Sequence, residues 1–516
     1  MSPNDTPGKP GPESKNADGL RADVAEVKAL RDAALDPARP EAVEKRRARG
    51  RRTVRENLDD FLDAGSFVEY GRLSKPVRED MSGPADGLVM GTGMVEGQPV
   101  AVLAYDYTVH AGTQSFINHR KTDRILEAAA KHRWPLVCWL EGGGARPHDI
   151  GHNASPRTFS AFAKLSGLVP TIGIVSGNCF AGNANMAGLC DILIATKDAV
   201  IGMAGPALVE AALGRAYTPQ EIGPVEVHVR AGVIDILCED DAEAVAHAQT
   251  CLSYFRGAQR AGRAPDGRVL RDIVPTEPNV GYNVRRVIEA LVDRGSFEEL
   301  RASYGLAAVV GLARIEGMPV GLIANQPTYL AGSIDTPASD KMARFIQLCD
   351  AHDIPMLLLV DTPGLMAGPE VEKTGLVRHS ARILTAIANA DTPFITVVMR
   401  KAYGLGYYVM GSRALDPALL VAWPTAEFGG MGLEGAAAII FKSELDAAPD
   451  EAARKALHEE KTAWLKRMNT GLEVAGRFEF DDVIDPADTR DMVAKTLRAL
   501  PEPLPRAGRK RTIDPW

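Results

Sequence analysis

Four apolar runs in this sequence end in turns that carry glycine. PLVCWLEGGG closes on Gly142, Gly143 and Gly144, and GIVSGNCFAG on Gly182. LLLVDTPG closes on Gly364, and ITVVMRKAYGLG passes through Gly404 and Gly406. A chain that leaves a buried strand through such a turn can aim backbone N–H groups at one point. The chemistry open to such donors is stabilisation of an oxyanion at a carbonyl. One donor is worth about 2.7–4 kcal/mol in a water-poor site. The plainer reading is that small residues let strand and helix pack closely.

Side chains suited to other chemistry are few. There is no G-x-S-x-G elbow and no Walker lysine loop. His148 and His152 in RPHDIGH stand four apart, but no third ligand accompanies them, so no metal is assigned. The cysteines (138, 179, 190, 238, 251 and 349) form no C-x-x-C pair and read as buried, reduced thiols. No acid–base pair stands out, so the chemistry needs oriented amides more than side-chain protons. The run KRRARGRRTVRE (45–56) reads either as a solvated helix face or as a site for a nucleotide-like anion. A net charge of −8 argues against nucleic acid as a partner.

The elements that must position these turns come in duplicate. VEGQPVAVLA (95–104) is answered by IEGMPVGLIA (315–324), and the offset of 220 residues holds without a gap from 95 to 144. Within it Ala111-Gly112 faces Ala331-Gly332, Glu141 faces Asp361, and Gly144 faces Gly364. Upstream, DAGSFVE (63–69) faces DRGSFEE (293–299); downstream, VPTIGIVSGNCFAG (169–182) faces TPFITVVMRKAYGL (392–405). The chain is therefore expected to be two copies of one domain. The copies are placed at 21–270 and 271–516, behind a disordered tail at 1–20 that is polar and rich in Pro, Gly and Ser.

Each copy alternates short apolar runs with helical stretches. QPVAVLAYD, PLVCWLE and PTIGIVSG read as strands; HRKTDRILEAAAKHR and ANMAGLCDILIA read as helices. Buried strands separated by helices predict an α/β fold with a largely parallel sheet, whose ligands sit beyond the carboxyl ends of the strands. The glycine turns fall at those ends. The N-terminus has no apolar leader and no run approaches membrane-spanning length, which predicts a cytoplasmic protein without a membrane partner.

GGAR (143–146), ANQP (324–327), VDTPGL (360–365), RKAYG (400–404), WPTAE (423–427) and DDVIDPADTR (481–490) together resemble the carboxyltransferase (β) subunits of biotin-dependent acyl-CoA carboxylases, such as those acting on propionyl-CoA. The resemblance runs from about residue 45 to the end and implies two tandem crotonase-like domains. It further implies that the N-terminal domain holds acyl-CoA and the C-terminal domain carboxybiotin. The site then lies between domains of different subunits of a homo-oligomer, a hexamer in the family. Carboxybiotin releases CO2, the biotin anion takes the thioester α-proton, and the enolate attacks CO2. Both reacting groups build charge on a carbonyl oxygen, so two oxyanion holes are implied and no protein base.

Carried over residue by residue, the oxyanion pairs fall on Ala181-Gly182 and Leu405-Gly406, and the substrate-binding positions on Gly143, Gly144, Ala145, Arg146 and Tyr408. The pattern departs from the family where RKAYGGAYD becomes RKAYGLGYY: Leu405 adds bulk, and Tyr408 replaces an acid. With no AMKM-like biotinyl-lysine motif, biotin is implied to arrive on a partner, a carrier subunit charged by a biotin carboxylase. Two alternatives stay open: the CoA-binding subunit of an acyl-CoA decarboxylase, and a non-catalytic scaffold subunit.

Overall fold

The computed structural model describes residues 19–146, 156–503 and 511–516. The tail up to residue 18 lies outside the described residues, as do His148 and His152.

The repeat at 95–104 and 315–324 folds as a hairpin in each half, and the Glu-Gly common to both copies is the turn. Glu96 and Gly97 take φ of 50° and 72°; Glu316 and Gly317 take 52° and 80°. Both positions of such a turn need positive φ. An aspartate from the other repeated motif holds each turn. Asp63 accepts from the amides of Glu96 and Gly97 at 2.9 and 2.8 Å. Asp293 accepts from Glu316 and Gly317 at 3.0 and 2.8 Å. The two repeated motifs are thus halves of one local interaction.

The first half contributes β1 (Val68–Glu69), β2 (Leu88–Val95), β3 (Gln98–Tyr105), β4 (Leu136–Trp139), β5 (Thr171–Val175), β6 (Asn178–Phe180), β7 (Ile192–Thr196), β8 (Val200–Gly202) and β9 (Ile236–Cys238). The second contributes β10 (Glu298–Leu300), β11 (Ala308–Ile315), β12 (Met318–Asn325), β13 (Met356–Thr362), β14 (Phe394–Tyr403), β15 (Leu419–Ala422), β16 (Glu427–Gly429) and β17 (Asp482–Val483). One sheet runs in the order β1-β2-β3-β4-β5-β7-β9 and the other β10-β11-β12-β13-β14-β15-β17. The strand order is the same, and so is the register. Ala101 pairs with Leu136, and Gly321 with Met356. In each half the first three strands are antiparallel and the rest parallel. The stretch ANMAGLCDILIA is not all helix: the helix Gly182–Gly188 stops and DILIA enters β7. Its β-branched residues pair with β5, and tertiary packing overrides the helical reading.

Both faces of the second sheet are buried. Leu358 and Val360 face a middle core, while Leu357 and Leu359 face an outer one. The middle core also takes Val100 and Val102 of the first sheet, Ala248 and Leu252 of the helix Asp241–Tyr254, and Ile513 near the C-terminus. Buried charges join the halves as well. Arg301 Nε donates to Asp235 Oδ1 at 2.9 Å, and Arg344 Nη2 donates to the Asp191 carbonyl at 2.7 Å. The expected cut at 270/271 falls inside the helix Leu270–Ile273, and both end residues of that helix pack in the outer core of the second half.

Candidate active site

In the first half three backbone segments meet at the carboxyl ends of β4 and β6. The turn at Ala111 (φ 52°) accepts from the Gly143 amide at 3.1 Å. Gly112 lies so close to the Glu141 carbonyl that a side chain there has no room. The Gln114 amide donates to Gly144 O and the Arg146 amide to Gln114 O, both at 2.7 Å. Phe180 donates to Gly142 O at 2.9 Å, and Gly142 to Asn178 O at 2.7 Å. Gly144 donates to the Asn183 side chain at 3.2 Å.

Ala181 departs from its assigned role. Its amide donates to Gly202 O at 2.9 Å and is not available as a donor to a ligand. What Ala181 supplies is conformation: φ 50° and ψ −117° turn the chain sharply into the helix Gly182–Gly188. The amides of a first helical turn have no intrahelical acceptor. Gly182 is therefore the donor this turn presents, and among the described residues its amide meets no acceptor.

The second half repeats the frame. Ile334 donates to Gly364 O at 3.0 Å and Met366 to Ile334 O at 2.9 Å. Gly404 has φ 55°, the counterpart of Ala181, and opens the helix Gly404–Val409. Leu405 is then the counterpart of Gly182, and Gly406 that of Asn183. The pairs Ala181-Gly182 and Leu405-Gly406 therefore sit one residue out of step. Leu405 is 64% exposed and Tyr408 half-buried. Gly406 rests against Gly364: a Cβ there would stand 2.5 Å from the Gly364 Cα.

Glu141 and Asp361, matched in sequence, are matched in space. Arg46, from the helix Pro40–Arg47, donates through Nη1 to Glu141 Oε1 at 2.9 Å. Burial pushes the Glu141 carboxyl up, against the pull of Arg46. Arg400 donates through Nε to Asp361 Oδ2 at 3.0 Å. Beside it Lys401 is held below the usual lysine range by burial, with Nζ 3.5 Å from Asp361. Tyr403 donates to Glu427 at the rim of a cleft of about 260 Å³ that also touches Ala331 and Pro363.

Arg146 turns away from the turn it was assigned to. Its guanidinium is buried and donates to Asp86 Oδ1 at 2.6 Å. Gly143, Gly144 and Ala145 therefore form a backbone wall whose Gly143 and Gly144 amides are already engaged, and Arg146 braces it from behind. The basic run divides into one buried arginine and a set of surface ion pairs, with Lys45, Arg47 and Arg49 exposed. Arg46 is buried on Glu141, Arg47 pairs with Glu56, Arg51 with Asp198 and Arg52 with Asp60. It is neither a solvated face at Arg46 nor an open anion site at these four positions.

Gln114 and Asn183 were missed because each is an ordinary polar residue in sequence, and Arg46 was read only as part of a solvated or anion-binding run. Glu141 facing Asp361 was the one available signal.

The Carboxyl transferase domain model matches residues 45–509. The chain is 39% identical to the methylmalonyl-CoA carboxyltransferase 12S subunit of Propionibacterium freudenreichii subsp. shermanii, over 88% of this chain and 90% of that one. It is 34% identical to the propionyl-CoA carboxylase beta chain of Saccharopolyspora erythraea, over 96% and 95%. The solved transcarboxylase 12S structure with methylmalonyl-coenzyme A and methylmalonic acid bound superposes with a TM-score of 0.86 at 35% identity, covering 97% of this chain and 99% of that one. A single-chain, multi-domain long-chain acyl-CoA carboxylase gives the same TM-score at 44% identity over 92% of this chain, which spans 49% of that larger chain. The two crotonase-like halves, their glycine turns and this match from residue 45 onward agree, and the chain belongs to the carboxyl transferase family as an acyl-CoA carboxylase-type carboxyltransferase.

Proposed function

We propose that this chain moves a carboxyl group from carboxybiotin, carried on a partner protein, to the α carbon of an acyl-CoA. The first half, from the basic run to about residue 256, takes the acyl-CoA. The second half, from about residue 265, takes the biotin. The observation that carries this reading is the pair of helix-opening turns, at Gly182 and at Gly404 to Gly406, on one duplicated frame.

In the net reaction the N–carboxyl bond breaks, a C–C bond forms at the α carbon, and the α proton ends on the ureido nitrogen. Charge develops on the thioester oxygen and on the ureido oxygen. Two sets of fixed amides suit two such oxygens, since preorganised donors need no rearrangement as charge grows. The Gly182 amide faces the thioester oxygen, with the backbone of Gly143 to Ala145 as the adjoining wall. The turn at Leu405-Gly406 faces the ureido oxygen, and Tyr408 borders the acyl group.

The two turns end separate sheets of one chain, so a second copy completes the site. The apolar helices Pro206–Leu213 and Leu433–Ile440 support this. They follow matched strands, β8 and β16, and leave Leu208 and Ile439 65% and 64% exposed. Each lies beside its own turn, placed to be covered by another subunit. A homo-oligomer follows, with the hexamer named for the transcarboxylase 12S structure as its form. The partners are a biotin carboxylase and its biotin carboxyl carrier. Six buried, unpaired cysteines suit the reducing cytoplasm. No helix among the described residues is long and apolar enough to cross a membrane.

The test is transfer between a panel of carboxylated acyl-CoAs and free biotin by the purified chain. Stoichiometric loss of the acyl-CoA carboxyl supports the reading. No transfer to biotin from any of them, by a folded oligomer, overturns it.

A further inference from the structure

We propose that Asn183 is a positioning residue, which sets the gap between the Gly142–Gly144 segment and the turn that presents the Gly182 amide. The inference rests on the carboxyltransferase reading and deepens its first-half site.

The two halves differ at this point. Asn183 and Gly406 are counterparts by strand order and by the shared φ of Ala181 and Gly404. In the second half Gly406 lets backbone close directly on Gly364. In the first half a whole carboxamide fills that space. Asn183 is fully buried, and its Oδ1 accepts from the Gly144 amide at 3.2 Å. Its Nδ2 is buried without an acceptor and lies against the open face of Gly142.

A second carboxamide completes the bracket. Gln114, the counterpart of Ile334, is buried with its Oε1 against Gly182 Cα, and its Nε2 donates to Tyr105 Oη at 3.2 Å. So the layer behind the first turn is polar, Gln114 and Asn183, where the second half has Ile334 and Gly406. A buried amide with a donor left over is a costly way to fill space. It is retained where it fixes something. Here it fixes Gly144, whose amide it engages, relative to Gly182, the residue just before Asn183. A misplacement of about 1 Å at such a donor can lower a rate by about 10²-fold.

The experiment measures transfer from a carboxylated acyl-CoA to free biotin by the oligomeric wild type and by two variants. Asn183→Ala leaves the Gly144 amide unpaired and the gap unset. Its kcat should fall at least about 10-fold while KM for the acyl-CoA stays within about 3-fold. Asn183→Asp keeps the acceptor for Gly144, but its buried carboxyl ionises as pH rises and then repels the developing oxyanion. Its rate relative to wild type should therefore drop by about 10-fold or more across pH 6 to 8.5. If Asn183→Ala does not fold, the pH profile of Asn183→Asp decides alone. Wild-type kcat in a folded Asn183→Ala, or a flat Asn183→Asp ratio, overturns the positioning role and leaves the carboxyltransferase reading intact. An inactive wild type removes both.

Discussion

Arg400 stands at the place in the second half that Gly177 holds in the first. Arg400 lies within β14, whereas Gly177 falls in the bend between β5 and β6; the two positions keep the offset of the β5 and β14 pairings. Arg400 reaches Asp361 from its own strand. Gly177 leaves that space open, with a φ of 156°, and Glu141 Oε1 and an Arg51 nitrogen fill it. The cation for Glu141 comes instead from Arg46, about a hundred residues earlier in the chain.

Arg46→Ala should therefore be severe. It leaves a carboxylate buried without its cation, and breaking one side of such a pair costs about 3–5 kcal/mol. Glu141→Gln in the same background should recover part of that loss. Denaturant midpoints of the two variants check this; equal midpoints would show that Glu141 finds another partner.

Ala181→Gly should stabilise the fold by about 1 kcal/mol, because a non-glycine residue at φ 50° and ψ −117° stores strain of about that size. Carboxyl transfer should persist, since the Ala181 amide serves Gly202 and glycine retains it. A lower melting temperature would mean that the methyl group contacting the Gly144 region outweighs the strain.

Tyr408→Asp should reorder the preferred acyl-CoAs by kcat/KM. A half-buried aromatic side chain is replaced by a shorter, charged one at the rim of the second turn. An unchanged order would place Tyr408 outside the acyl site.

Leu208→Asp and Ile439→Asp should each shift the oligomer toward smaller species and lower specific activity together. Both side chains are exposed on the apolar helices beside the turns. Light scattering checks the first effect. An active species no larger than one chain would refute the shared site.

His247 gives a pH signature. Its Nδ1 lies 3.0 Å from Glu298 Oε1, with Glu243 on its other side, and the bond to Glu298 raises its pKa above the usual 6.5. The folded form binds the proton more tightly than the unfolded one. The resulting stability is complete below about pH 6.5 and fades as pH rises through the higher folded value. His247→Gln should lose about 0.2–1 kcal/mol at acid pH relative to pH 8, as a partly exposed pair does. Parallel stability–pH curves for wild type and variant would refute it.

The duplication was legible because hairpins, strand ends and cap residues are local and repeat in sequence. Glu96-Gly97 and Glu316-Gly317 are visible as motifs, and so are the Asp63 and Asp293 that hold them. Arg46 on Glu141 was not legible, because the second half solves the same problem from a different strand. The one-residue offset between the two turns is already in the aligned repeats, which set Gly182 opposite Leu405; what the sequence hides is the glycine-like conformation of Ala181 under an ordinary side chain. Arg146, read as a ligand contact from its motif, is spoken for by Asp86, whose place beside it is set by tertiary packing.

The middle core, which gathers Val100 and Leu252 from the first half with Phe345, Leu358 and finally Ile513, has a consequence for biosynthesis. At about 5–20 residues per second, the stretch from Leu252 to Ile513 takes roughly 13–50 s to emerge from a ribosome. At the start of that interval only the helix Asp241–Tyr254 covers the inner face of the first sheet, and the core stays open until the second-half strands and finally Ile513 arrive. The nascent chain must wait with apolar surface uncovered, and its yield in a cell is set by how well that pause is guarded.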